Sequence, residues 1–445
     1  MIYEFLYKNA EKFFEKTVSD GFATITFREL FKYAEKYGEI LKTQPERKFG
    51  ILCRSELNTA KAILSCFFAG KTAVPLSLRY GDKHTRKIID SIGLQKIITD
   101  GGITSLPDTI SLPDEELDDV ALIMCTSGTT GSPKGAMITH NNLITNLSDI
   151  SDYFNVKPGQ KILISRPLYH CAVLTGEFLT ALIKGLDIIF DSSDFSPVGI
   201  ARKLDAGNIS VMCGTPTMFY HICSLAGERI RGKLDTIAVS GECMTTKTAE
   251  VMRSVFPDTD IYNVYGLTEA SPRVAYLPPE LFDEYPLSVG FPLRSLTAKV
   301  HDNELLVRGA SVMKGYYNNP EATLRAKRGG WLHTGDVAEI TEKGLIYIKT
   351  RKDNLIIRAG MNIYPQEIEN ALKSDPRITE VLAYGEKRST AGQRVCLKVV
   401  TDGLSKPEVF GICKKILPAY QLPDSIEIVE DIPRNASGKI IRRTT

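Results

Sequence analysis

The sequence predicts an α/β fold: a large N-terminal domain of stacked α/β layers over residues 1–350, followed by a small α+β domain over residues 351–445. Three observations carry this. Short apolar runs alternate with stretches of helical periodicity, which implies parallel strands joined by crossover helices. A length of 445 residues allows two or three domains at about 150 residues each. The alternation also changes character at Thr350-Arg351-Lys352-Asp353, after which the chain reads as a separate small unit.

In order along the chain, the N-terminus mixes acids and bases with apolar residues and reads as an amphipathic helix, not as the unbroken apolar core of a signal peptide. Thr26 and Glu29 fit a capping box, and Phe27, Leu30, Phe31, Ala34, Ile40 and Leu41 then recur at helical spacing. Phe49–Cys53 is a short apolar strand, Ala60–Ala69 lies in a helix, and Thr72–Leu76 is a second strand. A helix around Lys83–Ser91, the strand Lys96–Thr99 and an exposed Pro/Asp/Glu-rich connection over 107–119 follow. Asp119–Cys125 is a buried-strand run that empties into Thr126–Gly135, a stretch without an apolar side chain. Strand–helix alternation resumes and runs to about residue 349.

Composition narrows the function classes. With 55 Lys+Arg against 53 Asp+Glu, nothing in the overall charge would hold a polyanionic backbone, so nucleic acid is not expected as a partner. No run reaches the roughly 18 apolar residues of a membrane span. Nine cysteines, an odd number with no C-x-x-C pair, read as free thiols in a reducing compartment, so a cytoplasmic location is expected.

The stretch from Thr126 to Gly135 holds Thr126, Ser127, Gly128, Thr129, Thr130 and Lys134. Directly after a strand, so many amides and hydroxyls can turn toward one anion, as a phosphate grip requires. Lys134 follows Gly131 by three residues and precedes Gly135, so this is not a Walker A loop. Farther on stand Pro167–His170, Ser240–Glu242, Tyr265–Glu269, His333–Asp336, Arg351–Asp353 with Ala359–Glu369, and Pro433–Lys439. In this order, along the whole chain, these motifs closely resemble those of the adenylate-forming superfamily: acyl- and aryl-CoA ligases, peptide-synthetase adenylation domains and luciferase.

Physical chemistry suits the roles the resemblance implies. Tyr265 offers a ring for adenine and Asn263 offers amide groups to its edge. Glu269, beside Thr268, supplies the hard oxygen that Mg²⁺ prefers. Asp336, an acceptor when ionised, suits a ribose diol and is placed there with Arg351. The resemblance extends the nucleotide site to Gly241, Glu242, Cys243, Val264, Gly266 and Tyr347. It assigns Lys439 the catalytic cation between substrate carboxylate and α-phosphate, and Lys134 either the leaving pyrophosphate or a loop position. It makes Asp353 the pivot on which a mobile C-terminal domain turns between two half-reactions, with Gly360 lining the thiol path. Thr350, where Gly or Asp is usual, and Met361, where Glu is frequent, depart from the pattern.

His170 is placed beside the acid, in a pocket completed by Cys171, Leu174, Glu177, Gly241 and Gly266. Cys171–Leu174 and Gly241–Met244 predict a modest, largely apolar pocket for an aromatic or short-to-medium aliphatic acid. Amino acids are expected to be poor substrates unless Glu177 supplies a counter-ion to their ammonium. The implied reaction is activation of a small carboxylic acid with ATP and Mg²⁺ to an acyl-adenylate, pyrophosphate leaving, then transfer to a thiol. Coenzyme A is the favoured acceptor; the phosphopantetheine of an acyl or aryl carrier protein is the alternative. A non-catalytic nucleotide-binding protein of the same fold is the reading from a different class.

Overall fold

The computed structural model describes residues 1–78, 81–126, 133–191, 193, 195–358, 361–387 and 393–433. Two large sheets carry the first part of the chain. In one, Thr17–Ser19, Asp187–Phe190, Lys161–Ile164, Val211–Gly214, Thr236–Val239 and Asp260–Gly266 run parallel, and Arg273–Leu277 closes antiparallel on the last of them. In the other, Lys96–Thr99, Lys48–Ile51, Thr72–Pro75 and Val120–Thr126 run parallel, and Lys134–Thr139 returns antiparallel beside Val120–Thr126. These near-continuous apolar strands are buried on both faces, as crossover helices require.

The helices form where the sequence places their signals. Thr26 accepts from Glu29 N while Glu29 Oε2 accepts from Thr26 N, so the expected capping box is closed. Phe27, Leu30, Phe31, Ala34 and Leu41 of the helix Phe27–Lys42 join the main core; Ile40 faces out. That core lies between the two sheets, and a second fills the outer face of the first sheet around Phe219, Met252 and Phe256.

A third sheet pairs Leu296–His301, Glu304–Gly309, Trp331–Ile340 and Ile346–Arg351 antiparallel. Beyond it a single 3₁₀ turn, Lys352–Asn354, leads to Ile356, the first residue of a separate core that also holds Ile368, Val381, Leu397 and Val409. All nine cysteines are free, six of them buried, and no helix among the described residues is long and apolar enough to cross a membrane.

Candidate active site

The first sheet's parallel strands end side by side at one edge, where ligands of open α/β sheets bind. Val239 stands opposite Asn263, which brings Ser240–Cys243 next to Val264–Gly266. Tyr265 donates its hydroxyl to Asp336 Oδ2, on the third sheet. Asp336 stands opposite Arg351, whose Nη1 donates to Asp336 Oδ1 at 3.1 Å and to Thr334 O at 2.9 Å. Glu304 braces this turn, accepting from Gly335 N at 2.9 Å and Lys352 Nζ at 3.1 Å. Burial pushes the Asp336 carboxyl above the usual carboxylate range, against the pull of Arg351 and Tyr265. Burial and the neighbouring Asp336 together hold the Tyr265 phenol protonated, so it acts as a donor.

Glu269 lies in the 3₁₀ turn Thr268–Ala270, and Tyr316 donates to its Oε1 at 2.7 Å. The Lys134 ammonium stands 5.4 Å from the centre of the Tyr316 ring, and Lys134 pairs with Thr126, whose hydroxyl donates to Lys134 O at 3.4 Å. Cation, phenol and carboxylate thus share one corner. Gly266 makes the turn possible: a Cβ there would stand 2.2 Å from Pro272 O, inside any real contact, and the strand register shifts at this point. No cluster of three or more His, Cys, Asp or Glu occurs among the described residues. A divalent ion at Glu269 would therefore draw most of its shell from substrate oxygens and water, the coordination that suits Mg²⁺.

Several expected ligands are engaged elsewhere. Asn263 donates its amide to Pro286 O at 3.1 Å and Ser288 O at 2.9 Å, so those hydrogens hold a loop and are not offered to a base edge. Glu242 accepts from Thr217 N at 3.2 Å, in the first turn of the helix Pro216–Ile230. Cys243 donates its thiol to Ile348 O at 3.6 Å, and Val264 is core. Gly241 has a φ of +92°, which turns the chain after Ser240. Tyr347 lies four residues before Arg351 on its strand, about 13 Å away at some 3.3 Å per residue, and its ring packs on the second core. Asp353 sits within the turn Lys352–Asn354. Ser127, Gly128, Thr129, Thr130, Gly360 and Lys439 lie outside the described residues.

At the acid segment, His170 precedes the short helix Cys171–Val173 with its ring 4.2 Å from that of Tyr169. Cys171 and Leu174 are buried in the main core, and burial pushes the Cys171 thiol up to about 12. Charged groups stand beside this apolar run. Glu177 is wholly buried and accepts from Arg166 Nη2 at 2.6 Å, and the buried Arg273 packs on the same segment at Gly176. Glu177 is therefore already paired with a cation and is not a spare partner for a substrate ammonium.

Sequence reasoning missed Tyr316, Arg166 and Arg273. Tyr316 lies in no motif. The two arginines left a signal: Arg166 lies two residues past the apolar strand Lys161–Ile164, and Arg273 opens the otherwise uncharged strand Arg273–Leu277.

With this geometry in place, the chain's relatives are consistent. Residues 104–317 match the AMP-binding enzyme family and residues 367–439 match the C-terminal domain of AMP-binding enzymes. The long-chain-fatty-acid–CoA ligase of Salmonella typhimurium is 31% identical over 74% of this chain, and the match spans 62% of that protein's length. A feruloyl-CoA synthase of Amycolatopsis is 28% identical over 96% of this chain and 94% of its own. Among solved structures, o-succinylbenzoate CoA synthetase from Bacillus subtilis with its acyl-adenylate superposes with a TM-score of 0.86 at 26% identity, covering 98% of this chain and 96% of that one. The chain belongs to the AMP-binding enzyme family, whose members are adenylate-forming ligases.

Proposed function

We propose that this chain is an AMP-forming acid–thiol ligase. It uses ATP and Mg²⁺ to convert a carboxylic acid to an acyl-adenylate with release of pyrophosphate, then passes the acyl group to coenzyme A. The observation that carries this reading is the convergence of two clusters at one sheet edge: Tyr265–Asp336–Arg351, suited to a nucleoside, and Glu269–Tyr316–Lys134, suited to a metal-bound polyphosphate.

In this reading Asp336 accepts from the ribose hydroxyls, with Arg351 holding its carboxylate in place. Tyr265 presents its ring to the base. Glu269 would hold the Mg²⁺ ion, which would draw charge from the phosphates, and Lys134 meets the leaving pyrophosphate. Lys439 brings the attacking carboxylate and the α-phosphate together. Asp353, between the last strand of the third sheet and the separate C-terminal core, is the pivot that exchanges Lys439 for the Gly360 region. Coenzyme A is favoured over a carrier protein because the named relatives are CoA ligases. Their acids differ (a long-chain fatty acid, ferulate, succinylbenzoate), so they single out no one acid for this chain. Acid-dependent ATP–pyrophosphate exchange, followed by thioester formation on adding coenzyme A, tests the reading. Exchange with no acid in a broad panel refutes it.

A further inference from the structure

Outside the nucleotide residues, one buried cluster has an unbalanced charge. Glu177 and Arg166 form one ion pair. Arg273 is 2% exposed, and its guanidinium makes no hydrogen bond or ion pair with a described residue. It is held firmly: Asn146 accepts from Arg273 N at 3.2 Å and donates to Arg273 O at 2.9 Å. A Cβ on Gly176 would stand 2.7–3.0 Å from Nη2, Nε and Cζ, so only glycine lets the guanidinium lie there. Arg273 Nε is buried without a hydrogen-bond partner among the described residues, and so are Arg166 Nε and Glu177 Oε2 of the neighbouring ion pair. Buried polar atoms are ordinarily satisfied, and orphans on Arg273 and on the ion pair beside it point to a ligand that completes them.

The sign of that ligand follows from the charges. An arginine cannot escape burial by losing its proton, so the cluster carries one cation more than it has anions. The planar fork of a guanidinium matches a carboxylate. Position follows from the fold: Arg273 lies four residues past Glu269 and packs on Gly176, within the segment that borders the acid. Cys171, at the start of that segment, feels the charges of both Glu269 and Arg273.

We propose that Arg273 is a specificity-determining residue that binds a second carboxylate of the substrate, so that the enzyme's acids are dicarboxylic acids activated at the carboxyl remote from Arg273. The inference rests on the adenylation reading. The remote carboxylate attacks the α-phosphorus of ATP and pyrophosphate leaves; the carboxylate on Arg273 makes and breaks no bond. An ammonium at the same place would meet a cation, which excludes α-amino acids more firmly than an apolar wall would.

The test compares diacids with their monomethyl esters and with monocarboxylic acids of equal length, by ATP–pyrophosphate exchange and by calorimetric binding. The proteins are the full-length wild type, Arg273→Gln and Arg273→Lys. Wild type is expected to favour the diacid over its ester by about 10–100-fold in kcat/KM, the range for hydrogen bonds to a charged group. Arg273→Gln should raise KM for the diacid and leave turnover of the ester within a few-fold, and Arg273→Lys should recover part of the preference. Equal or better turnover of the ester or monoacid by wild type overturns the proposal while the adenylation reading stands, and that comparison needs no variant to fold. Exchange with none of the acids refutes the adenylation reading and this inference with it.

Discussion

Removing Glu177 should cost more stability than removing its partner Arg166, although each deletion breaks the same 2.6 Å ion pair. The asymmetry comes from proton chemistry. Burial raises the Glu177 carboxyl above its usual range against the pull of Arg166 and Arg273, so in Arg166→Met the acid still has Arg273 nearby and can shed remaining charge by taking up a proton. That leaves a desolvated hydroxyl, worth about 1–3 kcal/mol. In Glu177→Leu two guanidiniums, Arg166 and Arg273, remain in the interior without an anion, and neither can deprotonate. Breaking a buried pair in this way costs about 3–5 kcal/mol. The double variant Arg166→Met/Glu177→Leu replaces the pair by apolar volume and should recover much of the loss. The assay is urea denaturation at pH 7 followed by intrinsic fluorescence, comparing midpoints and not fitted free energies, since a chain with separate cores need not unfold in two states. An Arg166→Met midpoint as low as that of Glu177→Leu, or a double variant as damaged as the sum of the singles, would refute the reasoning.

Three further outcomes follow from the same geometry. Gly266→Ala forces a Cβ to 2.2 Å from Pro272 O; an overpacking cost of about 1–3 kcal/mol and a displaced Glu269 turn should lower both the thermal midpoint and the exchange rate, whereas an unchanged enzyme would mean that the Pro272 backbone yields freely. Asp336→Asn keeps the shape but removes the charge that meets Arg351 and Tyr265, so KM for ATP in exchange kinetics should rise about 10–100-fold, and an unaltered KM would separate Asp336 from the ribose. Because Glu177 and Asp336 both have raised folded-state pKa values, the native protein holds protons that the unfolded chain releases above about pH 4. Their contribution to stability therefore falls as pH rises from there through the folded values, and Glu177→Leu should flatten the measured slope of midpoint against pH over that window.

The strands and helices were legible because local signals and global fold agree: the capping box at Thr26 closes as expected, and the apolar runs at Phe49 and Thr72 pair in parallel. Tyr265, Glu269, Asp336 and Arg351 were legible as motifs, and their meeting was legible only through resemblance, since Asp336 and Arg351 lie 71 and 86 residues beyond Tyr265. What stayed hidden was decided by side-chain direction and register. Asn263 is the right residue type at the right strand end, yet its amide is drawn to the 286–288 loop. Tyr347 packs on the second core because the register of its strand shifts between Thr350 and Ile348, which turns it to the face opposite Arg351. The acid segment hid its charges for another reason: Cys171–Leu174 reads apolar along the chain, while Arg166 and Arg273 reach it from two other strand ends.

In the proposed reaction two half-reactions share one active site, and only the first needs a cation between carboxylate and α-phosphate. Lys439→Ala separates them, measured as ATP–pyrophosphate exchange on one side and as thioester formation from supplied acyl-adenylate and coenzyme A on the other. Exchange should fall by about 10²–10³, the usual cost of removing one such stabilising group, while thioester formation stays near the wild-type rate. Equal losses in both measurements would contradict the account.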